Sequence, residues 1–201
     1  MFGSVLYWLQ SVLKTRQILH NDKPYLERSY VCTLFGWRVY LHRFVACDED
    51  GLHDHPFEQS FSIILKGWYW EDRWAGRRKV RFFNHVGPDC LHRIILPDNG
   101  KDVWTLFFHT ERTRPWGFFR SSEKSDAIRP QKLEFVPASF GEDPPFSDWS
   151  KNKKGAQLRS QPGFYDIPRN KNAYSSGFLS YPKDAYISQA KARELLIKNT
   201  H

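Results

Sequence analysis

Short apolar segments separated by turn residues limit what this chain can fold into. Most of these segments end at Gly, Pro, Asn or Asp, which favour turns. Strands this short, with turns this frequent, are typical of antiparallel sandwiches and barrels, and they leave no room for the crossover helices of a parallel sheet. The pattern therefore predicts a mainly β, antiparallel fold whose strands lie at residues 31–35, 37–47, 60–66, 68–72, 77–83, 91–96, 103–109 and 116–119.

The two ends of the chain have a different pattern. Apolar residues recur at helical spacing over residues 3–19, which predicts an N-terminal helix within residues 1–20. Ser188 precedes a second such pattern at residues 189–198, which predicts a short C-terminal helix. Residues 121–182 hold seven of the twelve prolines and show little periodicity. We therefore expect one domain over residues 1–201, with a barrel core at 30–120 and with residues 121–201 forming an extended wrap and the C-terminal helix.

Composition excludes several classes of protein. The three cysteines lack paired spacing, which argues against a disulfide scaffold or a cysteine zinc site and favours a reducing compartment. No apolar run approaches the roughly 18 residues that a membrane helix needs, so we expect a cytoplasmic protein with no membrane partner. The net charge of +8 is compatible with an anionic substrate or partner, although charge alone identifies neither. The basic run at residues 73–81 is interpreted as a solvated hairpin, and nucleic acid is not the expected partner.

Three histidines carry the chemical signal. His53 and His55 stand two residues apart in an extended segment, so their side chains point to the same side. His92 begins a later predicted strand, and antiparallel pairing could place it opposite the first two. Three neutral imidazoles on one side of a divalent ion leave coordination positions open for substrate or oxygen. The pattern predicts a site for a divalent transition metal.

The same residues resemble the motifs of the cupin superfamily. His53 and His55 are similar to the first-motif histidine pair, Gly67 to its closing glycine, and His92 to the last ligand. Several sequence segments (LHDHPF, LKGWYWE, LHRIIL) also resemble short cupin-like proteins of bacteria and phages, over about residues 36–120. The resemblance implies a cupin-type antiparallel β-barrel, or double-stranded β-helix. It also implies metal-dependent chemistry, with Fe(II) expected and Zn, Ni or Mn as alternatives.

The motif departs from the superfamily pattern at one ligand. Counting back from Gly67 reaches Ser60 where the usual glutamate would stand, and Glu58 comes only three residues after His55. The site therefore either uses three histidines alone, as thiol dioxygenases of the cupin type do, or recruits Glu58 as a fourth ligand.

Other candidate site residues lie on neighbouring strands. Arg43 precedes the histidine pair and is a candidate anchor for an anionic substrate, although strand parity alone does not say which face it occupies. Tyr69 and Glu71 alternate after Gly67 and could line the same cavity. The leading hypothesis is an Fe(II) oxygenase or dioxygenase acting on a small anionic molecule. The alternative is a non-catalytic metal-binding cupin that binds a sugar, a nucleotide or a protein partner, and a homodimer is compatible with either.

Overall fold

Most of the described strands build two facing antiparallel sheets. The computed structural model describes residues 2–20, 23–48, 52–73, 76–88, 90–97, 101–113, 117–121, 133–137 and 152–160. Its elements in chain order are α1 (Phe2–Val12), β1 (Thr15–His20), β2 (Lys23–Leu34), β3 (Trp37–Phe44), β4 (Ser60–Lys66), β5 (Tyr69–Arg73), β6 (Gly76–Val80), β7 (Phe83–Val86), β8 (His92–Ile95), β9 (Val103–His109), β10 (Gly117–Ser121), β11 (Leu133–Pro137) and α2 (Gly155–Arg159). No helix among these described ranges is long and apolar enough to cross a membrane.

The strand order is that of a jelly roll. One sheet has the order β1-β2-β3-β9-β4-β7 and the other β6-β5-β8, while β10 and β11 pair as a separate two-stranded sheet. A bridge between His53 and His92 adds a further extended segment beside β8. From β3 to β9 the chain passes back and forth between the two sheets, which is the double-stranded β-helix arrangement shared by jelly rolls and cupins. The prediction of a cupin-type antiparallel barrel is confirmed.

The start of the chain corrects one expectation. The helix ends at Val12, and residues 15–20, predicted to be helical, form β1 and pair with β2. Strand β2 begins at Lys23, well before the predicted first strand. Pairing along the sheet edge satisfies the backbone of residues 15–20 and overrides their weak local helical pattern. The predicted C-terminal helix at 189–198 and most of the predicted wrap lie outside the described residues.

Strand alternation divides β3 into an inner and an outer face. Phe44 points between the sheets and joins the main core with Tyr69 and Ile94. Leu41 points outward and packs with Trp104 beneath Leu6 of α1. The N-terminal helix therefore covers one end of the outer face of the larger sheet.

The segment that contains α2 packs against the C-terminal end of α1 and the residues that follow it. The amide of Gly155 donates to the carbonyl of Leu13 at 3.1 Å, and the amide of Thr15 donates to the carbonyl of Lys153 at 2.9 Å. A Cβ atom at residue 155 would overlap the backbone carbonyl oxygen of Gln10. Glycine is required here because the two backbones approach too closely for any side chain.

Gly155→Ala should release this segment from α1. We expect faster hydrogen exchange at the amides of residue 155 and Thr15, since the steric overlap separates the two backbones. Gly87→Ala is the matched control, because its Cβ would meet no atom closer than 3.8 Å. Unchanged exchange in Gly155→Ala, measured by mass spectrometry, would show that the close approach is not needed.

Candidate metal centre

Backbone pairing places His53 beside His92. Each residue donates its amide to the carbonyl of the other, and both bonds measure 3.0 Å. Such reciprocal bonding makes the two residues direct cross-strand partners with side chains on one face. Their ring centroids lie 4.8 Å apart. The predicted convergence of an early and a late histidine is therefore present.

His55 completes the group. It lies two residues beyond His53, and its Nε2 atom is 2.7 Å from Nε2 of His92. One ring nitrogen from each of the three histidines lies within 4.8 Å of the others. His53 and His92 are buried and His55 is half-buried. The structure thus brings together all three predicted ligands.

The donor set fits a divalent metal. Burial lowers the pKa of His53 to about 4 and lowers the pKa of His55 well below its ordinary value, so both rings are neutral near pH 7. Metal ligation requires neutral imidazole. An ion with bonds of about 2.1 Å holds two nitrogens at a right angle about 3 Å apart, close to the His55–His92 separation. The three histidines can hold a divalent transition metal with small movements of their rings.

A buried carboxylate orients His92. Oε1 of Glu71 lies 2.8 Å from Nδ1 of His92, and its side chain is fully buried. Burial by itself would raise the pKa of Glu71, but the hydrogen bonds from His92 and Arg73 lower that pKa well below its usual range. An ionised Glu71 accepts the proton of Nδ1, which leaves the lone pair of Nε2 directed toward the metal position. Carboxylate–histidine pairs of this kind fix the tautomer and ring orientation of metal ligands.

Several donors neutralise Glu71. Its Oε2 accepts from Nε of Arg73 at 2.7 Å and from Nε of Arg78 at 2.6 Å. Its Oε1 also accepts from Nδ2 of Asn84 at 2.7 Å. The same amide nitrogen donates to Oη of Tyr69 at 2.8 Å. Tyr69 was expected to line the site cavity. It is instead a buried core residue whose hydroxyl accepts a hydrogen bond from Asn84, which also donates to Glu71.

Glu58 does not join the ligand group. Its side chain is exposed, and it is absent from the set of acidic, histidine and cysteine residues whose ligand atoms converge. Among the described residues the converging set consists of His53, His55 and His92. This arrangement matches the three-histidine alternative.

Arg43 lies away from the histidines. It projects from the outer face of β3, where Nη1 is 3.0 Å from Oε2 of Glu27 and Nη2 is 2.6 Å from Oδ2 of Asp102. Its guanidinium also lies 4.8 Å from the ring centroid of Tyr7 in α1. Two carboxylates and the helix thus surround the charge. The expectation that Arg43 anchors a substrate beside the metal is corrected, because strand alternation turns it away from the inner face.

Arg28, which was not among the predicted site residues, is an arginine on the inner face of the larger sheet. It lies on β2 two residues from the core residue Leu26, and its Nε donates to Nε2 of His42 at 3.0 Å. Its positive charge contributes to the lowered pKa of His55 and His42, although burial is the larger cause in both. The alternation of Leu26 and Arg28 would have indicated its face had β2 been predicted to begin before residue 30.

Aromatic and imidazole rings continue from His55 along the inner face. Phe57 stacks on His109 with ring centroids 3.8 Å apart, and His109 stacks on Tyr40 at 5.3 Å. Beside them His42 stacks on Phe107 at 4.8 Å. Burial lowers the pKa of His109 to about 4. The surroundings of the metal position are therefore flat rings that are neutral near pH 7.

Comparisons with known proteins return structural matches alone: no family model matches the chain, and no curated protein does. Similar solved structures include a cupin-2 domain protein from Shewanella frigidimarina (7% identity, 41% of this chain and 78% of that one, TM-score 0.36). A further match is a protein described as a mannose-6-phosphate isomerase from Ralstonia eutropha (18% identity, 47% of this chain and 96% of that one, TM-score 0.38). Another is Fe(II) HppE, of which the chain spans about half (6% identity, 48% of this chain and 56% of that one, TM-score 0.41).

Glu71→Gln should weaken metal binding without removing the ligands. The amide cannot hold the charge that fixes the His92 proton, so we expect affinity for Zn²⁺ or Co²⁺ to fall by about 10- to 100-fold. Asp72→Asn is the matched control, because Asp72 follows Glu71 on β5 but pairs with Arg77 and Arg93. Isothermal titration of the metal-free protein measures both. Equal affinities for Glu71→Gln and wild type would remove Glu71 from the centre.

The buried neutral histidines should make the metal-free protein sensitive to mild acid. His109 has a folded pKa of about 4 and an unfolded pKa of about 6.5, so between these values only the unfolded state takes up its proton. The free energy of unfolding should therefore fall as pH decreases from 7 to 5, by up to about 1.4 kcal/mol per pH unit for such a histidine. His109→Gln should show a shallower decrease in urea unfolding.

Proposed function

We propose that this chain is a metal-dependent enzyme of the cupin type, in which His53, His55 and His92 hold one divalent metal ion. The observation that carries the proposal is the convergence of three ring nitrogens within 4.8 Å. Burial keeps at least two of these rings neutral at physiological pH. The ion that we propose is Fe(II), with Zn, Ni and Mn as alternatives.

The ligand set supports one reaction class. Three imidazoles add no negative charge, so a bound Fe(II) would keep two positive charges and open positions at which it can bind and activate dioxygen. We therefore propose oxygenase or dioxygenase chemistry on a small anionic substrate. The stacked rings of Phe57, His109 and Tyr40 would exclude bulk water from that substrate, which strengthens electrostatic interactions within the site.

Arg28 takes the role of anion anchor in this proposal. Its side chain shares the inner side of the sheet with His42, to which it donates, and its charge reaches His55. A guanidinium can hold a carboxylate or phosphate with two parallel hydrogen bonds. The metal and Arg28 would then hold the two ends of one small acid.

Oxygen consumption tests the proposal. Protein loaded anaerobically with Fe(II) is mixed with oxygenated buffer and a panel of small carboxylates, thiols and phosphates in an oxygen electrode. We expect uptake with at least one acid, and loss of uptake in His92→Ala. Binding of nitric oxide, monitored by electron paramagnetic resonance, reports whether the iron has an open position. A loaded protein that binds nitric oxide but consumes no oxygen with any acid, and that binds neutral sugars, would support the non-catalytic alternative.

Arg28→Lys should weaken binding of the acidic substrate without changing the affinity for the metal. Lysine keeps the charge but loses the paired hydrogen bonds, so we expect a loss of about 1.5–3 kcal/mol in binding the acid that supports the greatest oxygen uptake. Arg77→Lys is the control, because Arg77 pairs with Asp72. Metal affinity should match wild type in both variants. An unchanged KM in Arg28→Lys would place the acid elsewhere.

A further inference from the structure

The outer face of the larger sheet carries an aromatic patch beyond the region that α1 covers. Phe61 of β4 stacks on Phe108 of β9 with centroids 4.4 Å apart. The same ring lies 5.3 Å from Trp37 of β3 and 5.7 Å from Phe83 of β7. With Ile63, these residues form what we call the outer aromatic patch. The patch and the surface that α1 covers lie on the same face of the sheet, at opposite ends of the strands.

Much of this patch is accessible. Phe83 is 57% exposed and Ile63 is 40% exposed, and the neighbouring Phe82 is 80% exposed. Contiguous apolar surface of this kind is rare on a single folded domain unless another segment or molecule covers it. Function at the metal centre does not explain it, because the patch lies on the opposite face of the sheet.

The chain itself returns to this face after the barrel is complete. Helix α2 sits beside α1, where Nη1 of Arg159 donates to Oε1 of Gln10. The guanidinium of Arg159 lies 6.0 Å from the ring centroid of Tyr7, which in turn packs edge-on against Trp104 of β9. The chain thus leaves Ser160 next to the covered end of the same outer face.

The remaining sequence is long enough to reach the patch. From Arg43, at the covered end of β3, to Trp37, at the patch, is six residues, or about 20 Å at strand spacing. About six extended residues cover that distance, and 41 residues follow Ser160. Phe164 and Tyr165 come four and five residues after Ser160, and further aromatic residues follow at Tyr174, Phe178 and Tyr181.

We propose that residues 161–201 dock on the outer aromatic patch and cover it with their aromatic side chains. The occupant is this chain's own C-terminal segment, because the segment starts at the correct face, is long enough to reach the patch and carries rings to pack there. A second copy of the chain is the competing occupant, and the test distinguishes the two.

Site-specific cross-linking of the full-length protein tests the occupant. Phe83 is replaced by the photoreactive p-benzoylphenylalanine, and the protein is irradiated as a mixture of light and heavy isotope forms. We expect peptides from residues 161–201 joined to position 83 within one chain. Mixed-isotope products would assign the patch to a second copy, and products from elsewhere, or none, would also overturn the proposal. Lys79, on the other sheet, is the control position and should yield no product with this segment.

Placing a charged residue in the outer aromatic patch and measuring protease cleavage tests the docking independently. Phe83→Glu in the full chain should release the segment and accelerate protease cleavage within residues 161–201 severalfold, because proteases cut the open population. Phe2→Glu is the matched control, since Phe2 and Phe83 are both 57% exposed. Metal binding by both variants confirms that the barrel is folded. Equal cleavage of Phe83→Glu and Phe2→Glu would overturn the docking.

Discussion

The buried carboxylate of Glu71 determines which polar side chains the barrel interior must contain. An ionised side chain with no exposed surface is costly unless its oxygens are fully bonded, and removing one partner of such a group typically costs several kcal/mol. Glu71 meets this requirement with two arginines, an amide and an imidazole. Because the imidazole belongs to His92, the same bonds that make the buried charge tolerable also orient one of the three converging histidines.

This requirement explains the sequence of the β5–β6 hairpin. Arg73 and Arg78 belong to a basic run that by itself is typical of a solvated or nucleic-acid-binding surface. In the structure their Nε atoms point to Glu71, and both also donate to Asn84. Asp72, one residue from Glu71, holds Arg77 and Arg93. Much of the positive charge of this run is therefore matched by the carboxylates of Glu71 and Asp72 on β5.

The site residues could be predicted from the sequence where residue type and spacing point to the same geometry. They could not be predicted where a residue's role depends only on which face of its strand turns inward. His53 and His55 could be predicted as partners because a two-residue spacing on an extended chain has one geometric outcome. Arg43 and Arg28 could not be ranked in the same way. Their roles depend on which face of a strand turns inward, and that depends on the packing of α1 on Leu41 and Trp104. Residues 15–20 were missed as a strand because their pairing with β2 is a tertiary contact, which a local pattern does not contain.

The bridge between His53 and His92 also has a consequence for how the chain acquires its fold. The two residues are 39 positions apart, whereas His53 and His55 are near neighbours. In an unfolded chain the near pair would capture an ion first, and closing the long loop to His92 would carry the entropy cost that grows with loop length. An ion held by all three would act as a removable cross-link between the segment at His53 and β8. It would favour the one register in which these residues face each other, so metal supply during synthesis would bias strand pairing as well as chemistry.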